Sequence, residues 1–258
     1  MIRYPEINPY IFKLGSLEVR WYGLAYILGI LLGFKLIAKY LKSNLGFTKD
    51  EVYDFITYII IGVMIGGRVG YIIFYDIFYY LNNLPEIIAF WHGGMSYHGG
   101  ALGVVFSTAI YCKRHKKNFL GVMDLIGVGS TIGIGLGRIT NFINAELVGR
   151  VTNVPWAMIF PQDRVARHPS QLYEAFFEGL VLFVVLYLIM RFIKLKHGGL
   201  FALYLIFYGL FRFFLEFFRE PDIQLGYIVS FLTAGQILCL VMVVHGVLIY
   251  YYSQKKTV

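Results

Sequence analysis

Seven apolar runs, at roughly 20–40, 52–78, 96–112, 119–140, 171–192, 199–218 and 226–252, dominate this chain. Crossing a hydrocarbon core of about 30 Å takes about 20 apolar residues as a helix. In lipid every backbone N–H and C=O must be satisfied internally, so runs of this kind become helices. Of 258 residues, 58% are apolar and only 15% charged, and the mean hydropathy is +0.66, beyond the range of a soluble domain. The expectation is an all-α polytopic membrane protein, one integral membrane domain over 1–258 with about seven transmembrane helices. The first 20 residues carry Pro5 and Pro9 and no apolar core, so no cleavable signal is expected.

Loop charge orients the helices. Lys39, Lys42 and Lys49, then Lys113–Lys117, then Arg191, Lys194 and Lys196, then Lys255 and Lys256 fall on one side. The opposite loops hold fewer basic residues, among them Arg3, Lys13, Arg20, Arg150 and Arg164. Positive charge is retained inside, which predicts an outside N-terminus and a cytosolic C-terminus. The net charge of +8 is thereby a membrane-anchoring feature, and no nucleic-acid partner is expected. The longest outside connection, about 141–170 with Pro155, Pro161 and Pro169, is expected to form a small extracytoplasmic head, irregular or short-stranded. Cys112 and Cys239 lack paired spacing and read as core residues.

Arg68, Arg138 and Arg212 lie inside the second, fourth and sixth runs, each past the midpoint toward the outside. A charge within a span costs about 2.5–3.5 kcal/mol on insertion scales, so three of them point to a polar cavity for an anion. A phosphate-bearing lipid or solute in the outer leaflet fits best. Gly62, Gly66 and Gly70, and Gly129, Gly133 and Gly137, form rows at four-residue spacing that permit close helix packing. The rows are expected to pack the second and fourth spans together and hold Arg68 and Arg138 against one cavity.

Tyr208, Arg212 and Glu216 share one helical face at four-residue steps. Arg212 either pairs internally with Glu216 or grips a phosphate oxygen with Tyr208 adding a hydrogen bond. Arg138, Asn141, Asn144 and Glu146 crowd one membrane boundary, as a polar helix end or as a binding layer, with Gly149 following. His98 opens the third span within Gly93–Gly100, an interface residue or a general base with an ordinary pKa near 6.5. Tyr22 starts the first span, in an aromatic belt or lining the cavity. Arg167–Ala175 reads equally as helix-start chemistry, with Pro169 and Glu174, or as site.

These stretches together resemble the bacterial prolipoprotein diacylglyceryl transferase family. Gly137, Arg138, Asn141, Phe142, Asn144, Glu146 and Gly149 match its signature, which has Gly or Ala where this chain has Thr140. His98–Gly100, Gly66–Arg68, His168–Glu174 and Tyr208–Arg212 match further motifs, with Ala101 where the family commonly has Leu. The resemblance implies a seven-span enzyme of the bacterial cytoplasmic (inner) membrane. It implies transfer of the diacylglyceryl group of phosphatidylglycerol to the lipobox cysteine thiol of a prolipoprotein, with a thioether formed and glycerol phosphate released. Membrane lipids surround it. On this reading His98, Arg138, Arg212 and Tyr208 are catalytic, and Arg138, Arg212, Asn141, Glu146, Gly149, Arg68 and Tyr22 bind substrate. No metal or cofactor is implied. An anion transporter or channel is the rival from another class, and paired interrupted helices, its usual pointer, are not apparent. A membrane scaffold would leave three buried charges without a purpose.

Overall fold

The structure is a computed structural model that describes residues 2–14, 17–89, 93–221, 227–229 and 232–255. Lys256, residue 226 and residues 230–231 of the expected seventh run lie outside the described residues. Strands β1 (Ile2–Arg3), β2 (Tyr10–Leu14) and β3 (Leu17–Arg20) lead into helix α1 (Trp21–Leu45). Then follow α2 (Lys49–Tyr75), α3 (Ile77–Asn82), a 3₁₀ turn (Leu84–Ile88), α4 (Tyr97–Arg114) and α5 (Phe119–Ile143). Strands β4 (Met158–Ile159) and β5 (Ala166–Arg167) precede α6 (Ser170–Phe192), α7 (Gly199–Leu215), β6 (Tyr227–Val229), β7 (Leu232–Thr233) and α8 (Ala234–Gln254).

Among the described residues, five helices are long and apolar enough to span: Trp21–Leu45, Lys49–Phe74, Phe119–Ile143, Ser170–Phe192 and Ala234–Gln254. The apolar helix Gly199–Leu215 is shorter, with 17 residues. The chain is a helical, multi-pass membrane protein. Helix ends follow local chemistry. Thr48 and Glu51 form a capping box on α2, and Thr233 and Gln236 form another on α8. That second box moves the start of the last helix from the expected 226 to Ala234, because 227–229 and 232–233 pair as strands. Asp124 accepts hydrogen bonds from Gly198 N at 2.8 Å and Phe201 N at 2.7 Å, supplying the missing side-chain cap of α7.

Two compact units divide the chain, Met1–Ile37 with Asp124–Val258, and Ala38–Met123. Within the second, α2 lies on α4 through glycine: a Cβ on Gly66 would stand 2.7 Å from the Cα of Gly103. Within the first, α1 lies on α5, where a Cβ on Gly29 would meet the Cα of Gly133 at 2.7 Å. The two glycine rows therefore have different partners, α4 for Gly62–Gly70 and α1 for Gly129–Gly133, which corrects the expectation that they pack on each other. Four-residue spacing marks a close-packing face and carries no information about which helix fills it.

The 141–170 connection contains the expected short strands. β4 pairs with β5 antiparallel and with β1 parallel, so the N-terminal residues complete this sheet. Beneath it Tyr4 packs against Phe142 and Phe160, and its hydroxyl donates to the carbonyls of Phe142 and Ile143 at 2.8 and 2.7 Å. Those bonds close two carbonyls left over at the end of α5. Cys112 and Cys239 are both buried.

Candidate functional site

Five charged side chains meet in the first unit. Arg138 from the last turns of α5 donates from Nε and Nη2 to Glu178 at 3.1 and 3.0 Å, and its Nη1 lies 3.0 Å from Glu174. Arg212 from the last turn of α7 donates to Glu174 at 2.8 Å and to Glu216 at 2.5 Å. Thr233 adds a hydroxyl donor to Glu216 at 2.9 Å. Glu174 and Glu178 are fully buried. Their helix adopts π-type winding over Ala175–Val181, an irregularity that concentrates at functional sites. Close approach of α5 is possible there because Gly179 faces Gly135, where a Cβ would come within 2.6 Å of backbone.

A buried ion cluster is a poor stabiliser, since desolvation offsets most of the Coulomb gain. Its value lies in holding two guanidiniums in fixed orientation. The internal Arg212–Glu216 pair that the spacing allowed is present, and Glu174 ties Arg212 to Arg138 as well. Glu178 went unnoticed in the sequence. The available signal was its four-residue spacing from Glu174 inside an apolar span, the same spacing that exposes Arg212 and Glu216.

A second polar layer adjoins in sequence. Asn141 donates to the Tyr22 hydroxyl at 2.5 Å and to Glu146 at 3.4 Å, and Asn144 donates to Glu146 at 3.3 Å. The chain turns back here through Ala145 and Leu147, at φ +54° and +53°. Left-handed conformations at non-glycine residues are strained, and the surroundings hold them. Gln171 donates to the Glu146 carbonyl at 2.5 Å and Ser170 to the Leu147 carbonyl at 3.0 Å. So the 168–174 motif acts as architecture for the Glu146 turn and, through Glu174, as part of the ion cluster. Thr140, the departure from the family signature, donates its hydroxyl to the Gly137 carbonyl at 2.7 Å within α5.

Gly149 is a close-approach position. Its N–H donates to the His168 carbonyl at 3.1 Å, and a Cβ would stand 2.7 Å from the Phe218 carbonyl oxygen. Tyr208, four residues before Arg212, is buried and stacks on Tyr204 at 5.9 Å between centroids. In the 141–170 connection, Arg167 pairs with Asp163 at 2.5 Å and with Glu220, beyond that connection, at 3.0 Å, and the guanidinium holds the Asp163 carboxyl below its ordinary range. Burial pushes the His168 imidazole down, and its Nδ1 lies 3.2 Å from the Tyr173 hydroxyl.

The second unit holds Arg68 and His98. Arg68 is 2% exposed and donates to main-chain carbonyls of Ile87 at 3.0 Å, Ala89 and Gly94 at 3.2 Å, and Glu86 and Gly93. One guanidinium thereby organises the turn that precedes α4. Ser96 caps α4 through Gly99 N, and its own N–H donates to the Gly67 carbonyl at 2.9 Å. His98 sits in the first turn of α4, exposed, with its ring against Tyr97.

Comparison with known proteins identifies the family. The family described as prolipoprotein diacylglyceryl transferase matches residues 9–252. The phosphatidylglycerol–prolipoprotein diacylglyceryl transferase of Rickettsia felis is 49% identical over 260 residues, 98% of this chain and 99% of that protein. The Rickettsia bellii enzyme of the same name is 48% identical, covering 99% of this chain and 98% of its own. That of Wolbachia pipientis wMel is 48% identical, covering 95% and 94%. The chain belongs to the prolipoprotein diacylglyceryl transferase family.

Proposed function

We propose that this protein transfers the diacylglyceryl group of phosphatidylglycerol to the lipobox cysteine thiol of a prolipoprotein. The thiolate sulfur attacks the glycerol carbon that bears the phosphate. A carbon–sulfur bond forms, the carbon–oxygen bond breaks with its electron pair going to oxygen, and glycerol phosphate departs. The observation that carries the reading is the pair Arg138 and Arg212, fixed by shared Glu174 within the membrane-spanning helices. Two planar guanidiniums match phosphate oxygens bidentately and stabilise the charge that grows on the leaving group.

The remaining roles follow from chemistry. Thiolate, not thiol, is the nucleophile, and His98 is the base that takes the proton. Tyr22, Asn141 and Glu146 form a hydrogen-bonding layer for the glycerol headgroup, and Tyr208 supports Arg212. Gly149 holds the turn after that layer, and Arg68 orders the approach to His98. The protein lies in the bacterial cytoplasmic membrane with seven spans, α4 and α7 joining the five longer helices. The N-terminus and the 141–170 head face outward, where the lipobox arrives, and the C-terminus is cytosolic.

Purified protein incubated with labelled phosphatidylglycerol and a lipobox peptide should yield diacylglyceryl thioether and glycerol phosphate in equal amounts, by mass spectrometry. Phosphatidylglycerol consumed without thioether would contradict the reaction. A reporter fused after Lys117 should read cytosolic and one within 155–165 extracytoplasmic; the reverse at both sites would overturn the orientation.

A further inference from the structure

Among the described residues, carboxylates outnumber guanidiniums around the arginine pair. Arg138 and Arg212 bring two positive charges, and Glu174, Glu178 and Glu216 bring three negative ones when ionised, with no side chain more than 16% exposed. A bound phosphodiester adds one more negative charge. Unbalanced charge in a desolvated site is strongly disfavoured, and protonation of an acid is the usual remedy.

The three acids are not equivalent. Both oxygens of Glu216 are engaged, one by Arg212 and one by Thr233. Glu174 presents Oε1 to Arg212 in a hydrogen bond of 2.8 Å, and its Oε2, which accepts no hydrogen bond among the described residues, still lies only 3.0 Å from Arg138 Nη1 as an ion pair. Glu178 uses only Oε2, on the Nε and Nη2 edge of Arg138. Its Oε1 accepts no hydrogen bond among the described residues and lies 3.9 Å from Arg212 Nε. The Nε–Nη2 edge is a donor pair of the kind a phosphate takes in parallel. Glu178 and the phosphate therefore compete for one face of Arg138.

Resting on the lipid-transferase reading, we propose that Glu178 is a positioning residue that yields Arg138 to the lipid phosphate and takes up one proton as it does so. Donor-lipid binding is then coupled to proton uptake: a carboxylate and a solvent proton become a neutral carboxyl, and product release reverses the step. The charged groups that face it are Arg138 of α5, Glu174 of α6 and Arg212 of α7, and Glu216 joins the cluster through Arg212. Phenols, thiols and guanidinium keep their protons at neutral pH by their ordinary values, leaving the carboxyls to titrate. Glu146, the next acid, is held by Asn141 and Asn144.

Calorimetry of the whole protein in phosphatidylcholine nanodiscs, titrated with short-chain phosphatidylglycerol in buffers of differing ionisation enthalpy, counts the protons. The expected result is uptake approaching one proton, with affinity falling by up to about tenfold per pH unit as pH rises. Glu178→Gln should bind without uptake and without that slope, whereas His98→Gln should keep both. Binding without uptake by the wild type, or uptake retained in Glu178→Gln, overturns the proposal and leaves the transferase reading intact. If Glu178→Gln does not assemble, His98→Gln decides: loss of uptake there assigns the proton to His98 and overturns the proposal. Absence of phosphatidylglycerol binding at every pH, with lipid-only nanodiscs as the blank, overturns both.

Discussion

Arg138 and Glu178 face each other from α5 and α6, joined by two hydrogen bonds of 3.1 and 3.0 Å to one carboxylate oxygen. The pair belongs to a cluster with one more acid than base, which makes its two halves unequal. Removing Arg138 as Arg138→Gln leaves Glu174, Glu178 and Glu216 against a single guanidinium. Breaking a buried ion pair in this sense costs about 3–5 kcal/mol. Glu178→Gln instead balances the cluster and should cost far less. Thermal unfolding of both variants in the same detergent checks the asymmetry; equal losses would mean that the carboxyls are not all ionised.

Gly149→Ala should destabilise the 141–170 connection. The added methyl would stand 2.7 Å from both the Phe218 carbonyl oxygen and His168 Cβ, so backbone must move. Overpacking of this kind costs about 1–3 kcal/mol. Faster proteolysis within 145–170 than in wild type is the expected outcome.

Much of this was legible in the sequence, for identifiable reasons. Apolar runs of membrane length gave the helices, and caps such as Thr48 with Glu51 fixed their ends locally. Arg212 and Glu216 were visible as a four-residue step, and Asn141 with Glu146 as polar groups at one boundary. Partner choice was not legible. Gly66 and Gly133 each advertise a close contact, but α4 and α1 were selected by tertiary packing. Glu178 was hidden as a single acid in an apolar span, where only its spacing from Glu174 hinted at a pair. Arg68 looked equivalent to the other arginines, yet its partners are carbonyls of a turn about 20 residues away, which no periodicity encodes.

Arg68→Lys tests that difference. An ammonium cannot serve five carbonyls spread across a planar fork. Hydrogen exchange should therefore rise across 86–94 while the affinity for phosphatidylglycerol changes little. A large affinity loss with unchanged exchange would assign Arg68 to the lipid itself.

His168 gives the 141–170 connection a pH dependence. Burial lowers its folded-state pKa below the unfolded value of about 6.5, so the folded state favours the neutral ring. That contribution is complete above about pH 6.5 and is lost as pH falls through the folded value. The Tm should drop between pH 7 and pH 5, and the drop should shrink in His168→Asn, which does not titrate. The same drop in both proteins would place the titrating group elsewhere.

The central claim is that Arg138 and Arg212 stabilise the departing phosphate. Single-turnover transfer from phosphatidylglycerol to a lipobox peptide, with Arg138→Lys and Arg212→Lys compared at saturating lipid, tests it most directly. Lysine keeps the charge and loses the planar fork. Each stably inserted variant should lose about 10²-fold or more in rate, the scale of removing one preorganised donor from a developing oxyanion. Near-normal rates in both Lys variants would contradict the account and leave the pair a purely structural element.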